Sequence, residues 1–227
     1  MITIDRRFRG PLGMTNGGLA AGVLAEKLDG PTRVRLERPV PYSTPLRAQG
    51  RGENRQLLDG DIAVAVASPV TEEFSAPAFV APDMIRDQPR WELAEAFYEE
   101  CFVCGRPAPD GLGIELRRIG ARHAAAVWTP AECDAIREAT VPTRFLWAAL
   151  DCPGGYAALA PSMTLGLLGS LAVDIRIRPN STQELVVVGE GGQVDGRKFE
   201  ARTAIYTTDG EVVAAGTATW IALRAAA

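Results

Sequence analysis

The sequence predicts an α+β chain built from two similar units, each a mostly apolar helix followed by a meander of antiparallel strands. Three observations predict it. Pro41-Tyr42-Ser43-Thr44 and Pro179-Asn180-Ser181-Thr182 each close an alternating segment, and these P-x-S-T motifs lie 138 residues apart. Asp59-Gly60 and Asp195-Gly196 each precede a further alternating run, at an offset of 136. Small, apolar stretches of helical character at 17–28 and 142–152 stand ahead of the strands in both halves.

In chain order, Asn16 is a strong N-cap for a helix that starts at Gly17-Gly18 and reads GGLAAGVLAEKL. The alternating segment RVRLERPVP at 33–41 and the run DIAVAVAS at 61–68 are strands, the second with no visible partner. Residues 69–100, with Pro69, Pro77, Pro82 and Pro89, read as a connector closing in a short helix at 91–100. Segments 113–119 and 122–129 form an opening hairpin. Pro142 suits the first turn of the second helix, Leu146 and Leu150 share its apolar stripe, and Pro153-Gly154-Gly155 is expected to end it. Strands follow at 168–179, 183–193, 197–208 and 211–223, with Asp209-Gly210 as a hairpin turn. The expected division is 1–72, a connector at 73–100, and 101–227.

Composition narrows the function. The 227 residues are 47% hydrophobic and 23% charged, which suits a globular chain with a sizeable core. Lys+Arg number 24 against 28 Asp+Glu, a net charge of -4, which argues against binding nucleic acid through its phosphates. Only Lys27 and Lys198 are lysines, a skew that reads as base composition. No apolar run is long enough for a membrane span, and Met1 is not followed by a secretory pattern, so a cytoplasmic protein is expected.

The single histidine, His123, sits in an alternating segment, so His-based triads and His-rich metal centres are disfavoured. There is no G-x-S-x-G elbow, dinucleotide fingerprint or P-loop, and no cofactor is expected. Cys101-Phe-Val-Cys104 has the spacing of half a zinc site, but no second CxxC exists. The expectation is no metal, with the four cysteines, Cys133 and Cys152 included, reduced and turned inward.

One helix wrapped by a curved antiparallel sheet is the physical content of a hotdog fold, and particular residues carry the resemblance. Residues 101–114, CFVCGRPAPDGLGI, resemble the "CFxCG…NPxGLxL" opening of hotdog thioesterase-like proteins. FLWAALD at 145–151 resembles their central helix with its acidic residue, and Asn16-Gly17-Gly18 resembles their helix start. The tandem arrangement resembles the double-hotdog acyl-CoA thioesterase II group. The resemblance implies an acyl-CoA or other acyl-thioester partner, and a homodimer is also expected.

It also implies roles. Asp151 takes the place of the family's catalytic Asp, and Ser170 falls within one residue of its hydroxyl position when aligned on Arg178-Pro179. Asn16 stands where the family has His, and Ala218, between Thr217 and Thr219, stands where it has Gln. The residues themselves leave alternatives. Asp151 is either a base that activates water beside helix-start amides or a surface cap of the Pro153-Gly154-Gly155 turn. Asn16, Gly17 and Gly18 are either a simple helix start or donors to a thioester oxygen. Arg178, with Arg176, Arg144, Arg197 and Lys198, is either an exposed strand residue or a contact for CoA phosphates. Trp147, Phe145 and Tyr156 are core or acyl-tunnel lining, and Glu26 is a solvated helix residue. Two functions remain: hydrolysis of an acyl-thioester by carboxylate-activated water, or a non-catalytic hotdog that binds acyl groups or serves as a structural partner.

Overall fold

A computed structural model describes residues 1–91, 95–105 and 111–224. Its strands are β1 (Ile2–Thr3), β2 (Thr32–Leu36), β3 (Pro45–Arg51), β4 (Asn54–Asp59), β5 (Ile62–Pro69), β6 (Arg117–Gly120), β7 (His123–Trp128), β8 (Gly166–Ile175), β9 (Leu185–Asp195), β10 (Lys198–Thr207) and β11 (Val212–Ala222). They form one antiparallel sheet in the order β1-β3-β4-β5-β2-β8-β11-β10-β9-β7-β6. Helices α1 (Gly17–Ala25) and α4 (Thr143–Leu159) pack against each other and against the sheet, while α2 (Pro82–Arg86) and α3 (Glu95–Tyr98) are short.

The duplication is legible in the strand order. After α1 the chain makes β2 to β5, arranged β3-β4-β5-β2. After α4 it makes β8 to β11, arranged β9-β10-β11-β8. The halves meet where β2 pairs with β8, Val34 opposite Leu171 and Arg35 opposite Ser170. This is a double hotdog. Joining the sheets edge to edge satisfies backbone groups that two separate edges would expose.

The P-x-S-T repeat leads into β3 and β9, which hold equivalent places, so that match is structural. The Asp-Gly repeat is not. Asp59-Gly60 joins β4 to β5, whereas Asp195-Gly196 joins β9 to β10. The true counterpart of Asp59-Gly60 is Asp209-Gly210, between β10 and β11. The run at 61–68, left without a partner by sequence, is β5, paired with both β4 and β2.

Both long helices are apolar nearly all round because helix and sheet enclose them. In α4 every residue from 145 to 159 is buried. The expected break at Pro153-Gly154-Gly155 does not occur. Pro153 forfeits one hydrogen bond to the Ala149 carbonyl, but surrounding packing holds the helix to Leu159. The glycines there serve close approach. A Cβ on Gly155 would lie 2.5 Å from the Trp220 ring, and one on Gly189 of β9 would lie 2.1 Å from the Pro153 carbonyl oxygen.

The connector is a cover. Phe74 packs on Ala172 and Ala215, and Ile85 on Val186, Val188 and Tyr206, across the face of the sheet opposite the helices. The chain then passes the β6 edge, with Trp91 N–H donating to the Leu116 carbonyl at 2.8 Å. It returns to the helix side, where the Tyr98 hydroxyl donates to the Gly166 carbonyl at 2.8 Å. Of the helix expected at 91–100, α3 is the described part. Among the described residues no helix is long and apolar enough to cross a membrane.

Candidate functional site

The start of α1 meets the middle of α4. Asn16 caps α1, its Oδ1 accepting from Leu19 N–H at 2.9 Å. The same side chain turns its Nδ2 to Asp151, donating to Oδ2 at 3.1 Å. Gly18 N–H donates to the same oxygen at 2.8 Å. Gly18 has to be glycine, because a Cβ would lie 2.5 Å from the Asp151 Cβ and 2.6 Å from the Trp147 carbonyl oxygen.

Asp151 is therefore no surface cap. It is 2% exposed, and its other oxygen, Oδ1, is buried with no partner among the described residues. Burial pushes the carboxyl up to about 7, with the Cys101 sulfur adding to the rise and Gly18 N–H and the Asn16 amide opposing it. An unpaired acceptor on a buried carboxylate costs stability, so its retention points to a role beyond packing.

A mostly apolar cavity of about 210 Å³ opens beside this oxygen. Asp151, Asn16, Gly17, Thr15, Leu168, Trp220, Cys101 and Cys152 line it, and the exposed Arg38 stands among its residues without an ion pair among those described. Gly17 N–H, the first amide of α1, has no hydrogen-bond partner among the described residues. Thr15 Oγ1 is likewise buried and unpartnered. Sequence reasoning missed Thr15. Its position directly before the Asn-Gly-Gly helix start was the available signal.

Three expected residues fall elsewhere. Ser170 lies across from Thr219 and Arg35 on the sheet face away from Asp151, in a hollow with Glu37, Gln193 and Lys198. The cause is a bulge: Thr219 opposes Ser170 but Trp220 opposes Leu168, so Gly169 is extra and the inward residues are Leu168 and Leu171. Trp147 is buried against α1, where a Cβ on Gly22 would lie 2.8 Å from its own Cβ. It lines a different, polar hollow together with Arg178, Glu26 and Arg144. Neither Trp147 nor Arg178 reaches the Asp151 cavity.

Lys198 lines the Ser170 hollow, and two of the other cations are engaged within the fold. Arg176 pairs with Asp174 and donates to the Phe74 carbonyl, and Arg197 donates to the Ala222 carbonyl. Glu26 is not simply solvated, since it accepts from Arg144 N–H and pairs with the Arg144 guanidinium, both at 3.2 Å. His123 lies beside Glu190 of β9 at 3.4 Å and takes no part in the site. On β11, Ala218 packs toward Gly154, and Trp220 is the bulky residue that meets the cavity.

Behind Asp151 sit three thiols. Asn16 Nδ2 donates to Cys101 Sγ at 3.7 Å, and Cys101 Sγ is 3.7 Å from Cys152 Sγ. Cys104 completes the group. Hydrogen bonds from its two neighbouring thiols hold the Cys101 thiol well below its usual range, while the same contacts push Cys152 up. Residues 106–110 of the opening motif lie outside the described residues.

No family model matches the chain, and no curated protein does. Solved structures match along nearly its whole length. A thioesterase-described protein from Novosphingobium aromaticivorans aligns with a TM-score of 0.64 at 13% identity, over 98% of this chain and 94% of that one. A hotdog-fold protein from Alicyclobacillus acidocaldarius gives 0.61 at 13%, over 98% and 92%. An acyl-CoA thioesterase II from Mycobacterium marinum gives 0.56 at 13%, over 97% and 91%. At such identities the likeness establishes the double-hotdog fold.

Proposed function

We propose that the chain hydrolyses an acyl-thioester of the acyl-CoA type, with Asp151 as the general base. The acyl group lies in the apolar cavity, and the thioester carbonyl oxygen points to Gly17 N–H at the positive end of α1. Asp151 Oδ1 accepts a proton from a water as the water oxygen attacks the carbonyl carbon, while Oδ2 stays anchored to Gly18 and Asn16. The tetrahedral intermediate collapses, the C–S bond breaks, and the leaving thiolate takes the proton back from Asp151. Thr15 Oγ1 orients the water. Arg38 takes the role of contact for the phosphates of the leaving group. Residues 1–72 and 101–227 act as the two units whose seam makes the site, with 73–100 joining them.

The observation that carries this reading is Asp151 itself: one oxygen fixed by two donors, the other bare, buried and beside an apolar cavity. The M. marinum thioesterase lends support by its fold and described activity. A second reading, a non-catalytic acyl-thioester binder, is favoured by Trp220, which fills the β11 side of the cavity where no amide side chain stands. A free-thiol release assay over acyl-CoAs of graded length separates them. Hydrolysis predicts turnover of short acyl groups, lost in Asp151→Asn. Binding without thiol release by the wild type would establish the second reading instead.

A further inference from the structure

The thiols on the cavity floor take no part in that reaction. Cys101, Cys104 and Cys152 are buried, and their sulfurs lie within 4.8 Å of one another. The 3.7 Å between Cys101 and Cys152 is far from a disulfide's S–S length of about 2.05 Å. It matches a tetrahedral ion, since metal–sulfur bonds of about 2.3 Å set the sulfurs about 3.8 Å apart. We propose that Cys101, Cys104 and Cys152 form a binding site for a thiophilic divalent cation of the zinc class, with its fourth coordination position turned to the cavity.

The turn at 101–105 is built for a ligand pair. Gly105 N–H donates to the Cys101 carbonyl at 2.9 Å, closing it. A Cβ on Gly105 would lie 2.5 Å from the carbonyl oxygens of Cys101 and Glu99, so the tightness of the turn requires glycine. The Asn16 amide adds a donor from outside the ligand set, the arrangement that fixes and tunes metal-bound sulfur.

The third sulfur comes from α4, 48 residues beyond Cys104, which is why CxxC spacing alone displays half a site. Three sulfurs select a soft ion over magnesium or calcium. Cys101 and Cys152 line the cavity, so solvent reaches the fourth position. On binding, the ion replaces the thiol protons, which pass to water. It would pin the turn at 101–105 to α4 one residue from Asp151.

The test uses the full chain, reduced, stripped with a chelator and titrated with Zn2+ and, separately, Co2+. The expected result is one ion per chain by elemental analysis, and for cobalt the absorption of a tetrahedral thiolate complex. Cys104→Ser and Cys152→Ser should each weaken binding by more than about tenfold. Cys133→Ser, outside the cluster, should bind as the wild type does. A wild type that takes up no stoichiometric ion, or a Cys152→Ser protein that keeps the full cobalt spectrum, overturns the site. So does a purified chain whose mass shows a Cys101–Cys152 disulfide that persists under reductant. If the variants do not fold, the wild-type stoichiometry and the strength of its thiolate-to-cobalt band decide. None of these readouts needs hydrolysis, so this proposal and the proposed activity fail separately.

Discussion

The two ends of the α1–α4 contact use one device for opposite purposes. At one end the second residue of α1, Gly18, donates its N–H to Asp151 of α4 at 2.8 Å. At the other, the second residue of α4, Arg144, donates its N–H to Glu26, just past α1, at 3.2 Å. The surroundings differ. Glu26 has an arginine on it and a side chain 27% exposed, in a hollow lined by polar groups. Asp151 has no countercharge among the described residues and faces a mostly apolar cavity. A compensated carboxylate ties two helices together. An uncompensated one leaves a bare oxygen beside the cavity, at a cost in stability.

The largest expected break in that comparison is Asp151→Asn. The substitution is nearly isosteric and removes the base, so kcat should fall by about 10²–10⁴-fold with the melting profile retained. Glu26→Gln should leave kcat unchanged. Gly18→Ala and Gly22→Ala come next. Their Cβ atoms would lie 2.5 Å from Asp151 and 2.6 Å from Arg144, so each should lose about 1–3 kcal/mol in denaturant melts. Only Gly18→Ala should also lower kcat of the folded protein, because it alone displaces Asp151.

Thr15→Val sharpens the site itself. Removing one oriented hydrogen bond should slow turnover by up to about tenfold, while stability holds because the hydroxyl is buried without a partner. The smallest effect is the stability change in Glu26→Gln, up to about 1 kcal/mol, because the pair is partly solvated and salt screens it.

The parts legible in sequence were those with strong periodicity or capping chemistry. Strands β8 to β11 each run for ten residues or more, rich in β-branched residues, and Asn16-Gly17-Gly18 announces a helix start. Asp151 stood out as the one acid in an apolar helix. What failed depended on three-dimensional context. Pro153-Gly154-Gly155 reads as a stop, yet the helix runs through it under the enclosing sheet, with Gly155 close against the Trp220 ring. Ser170 was misassigned because a single extra residue, Gly169, inverts the alternation of β8. The β3–β4 hairpin went unread because β3 is half polar, with exposed Arg47, Gln49 and Arg51. Cys152 joins Cys101 and Cys104 only through the packing of α4, which no local spacing encodes.

The most direct test of the central claim is a crystal structure with a non-hydrolysable thioether analogue of a short acyl-CoA. The account predicts the acyl group in the cavity of Asp151, Leu168 and Trp220, with the carbonyl-equivalent oxygen at Gly17 N–H and no ligand at Glu26. Ligand seated instead in the hollow of Glu26, Arg144 and Arg178 would contradict it.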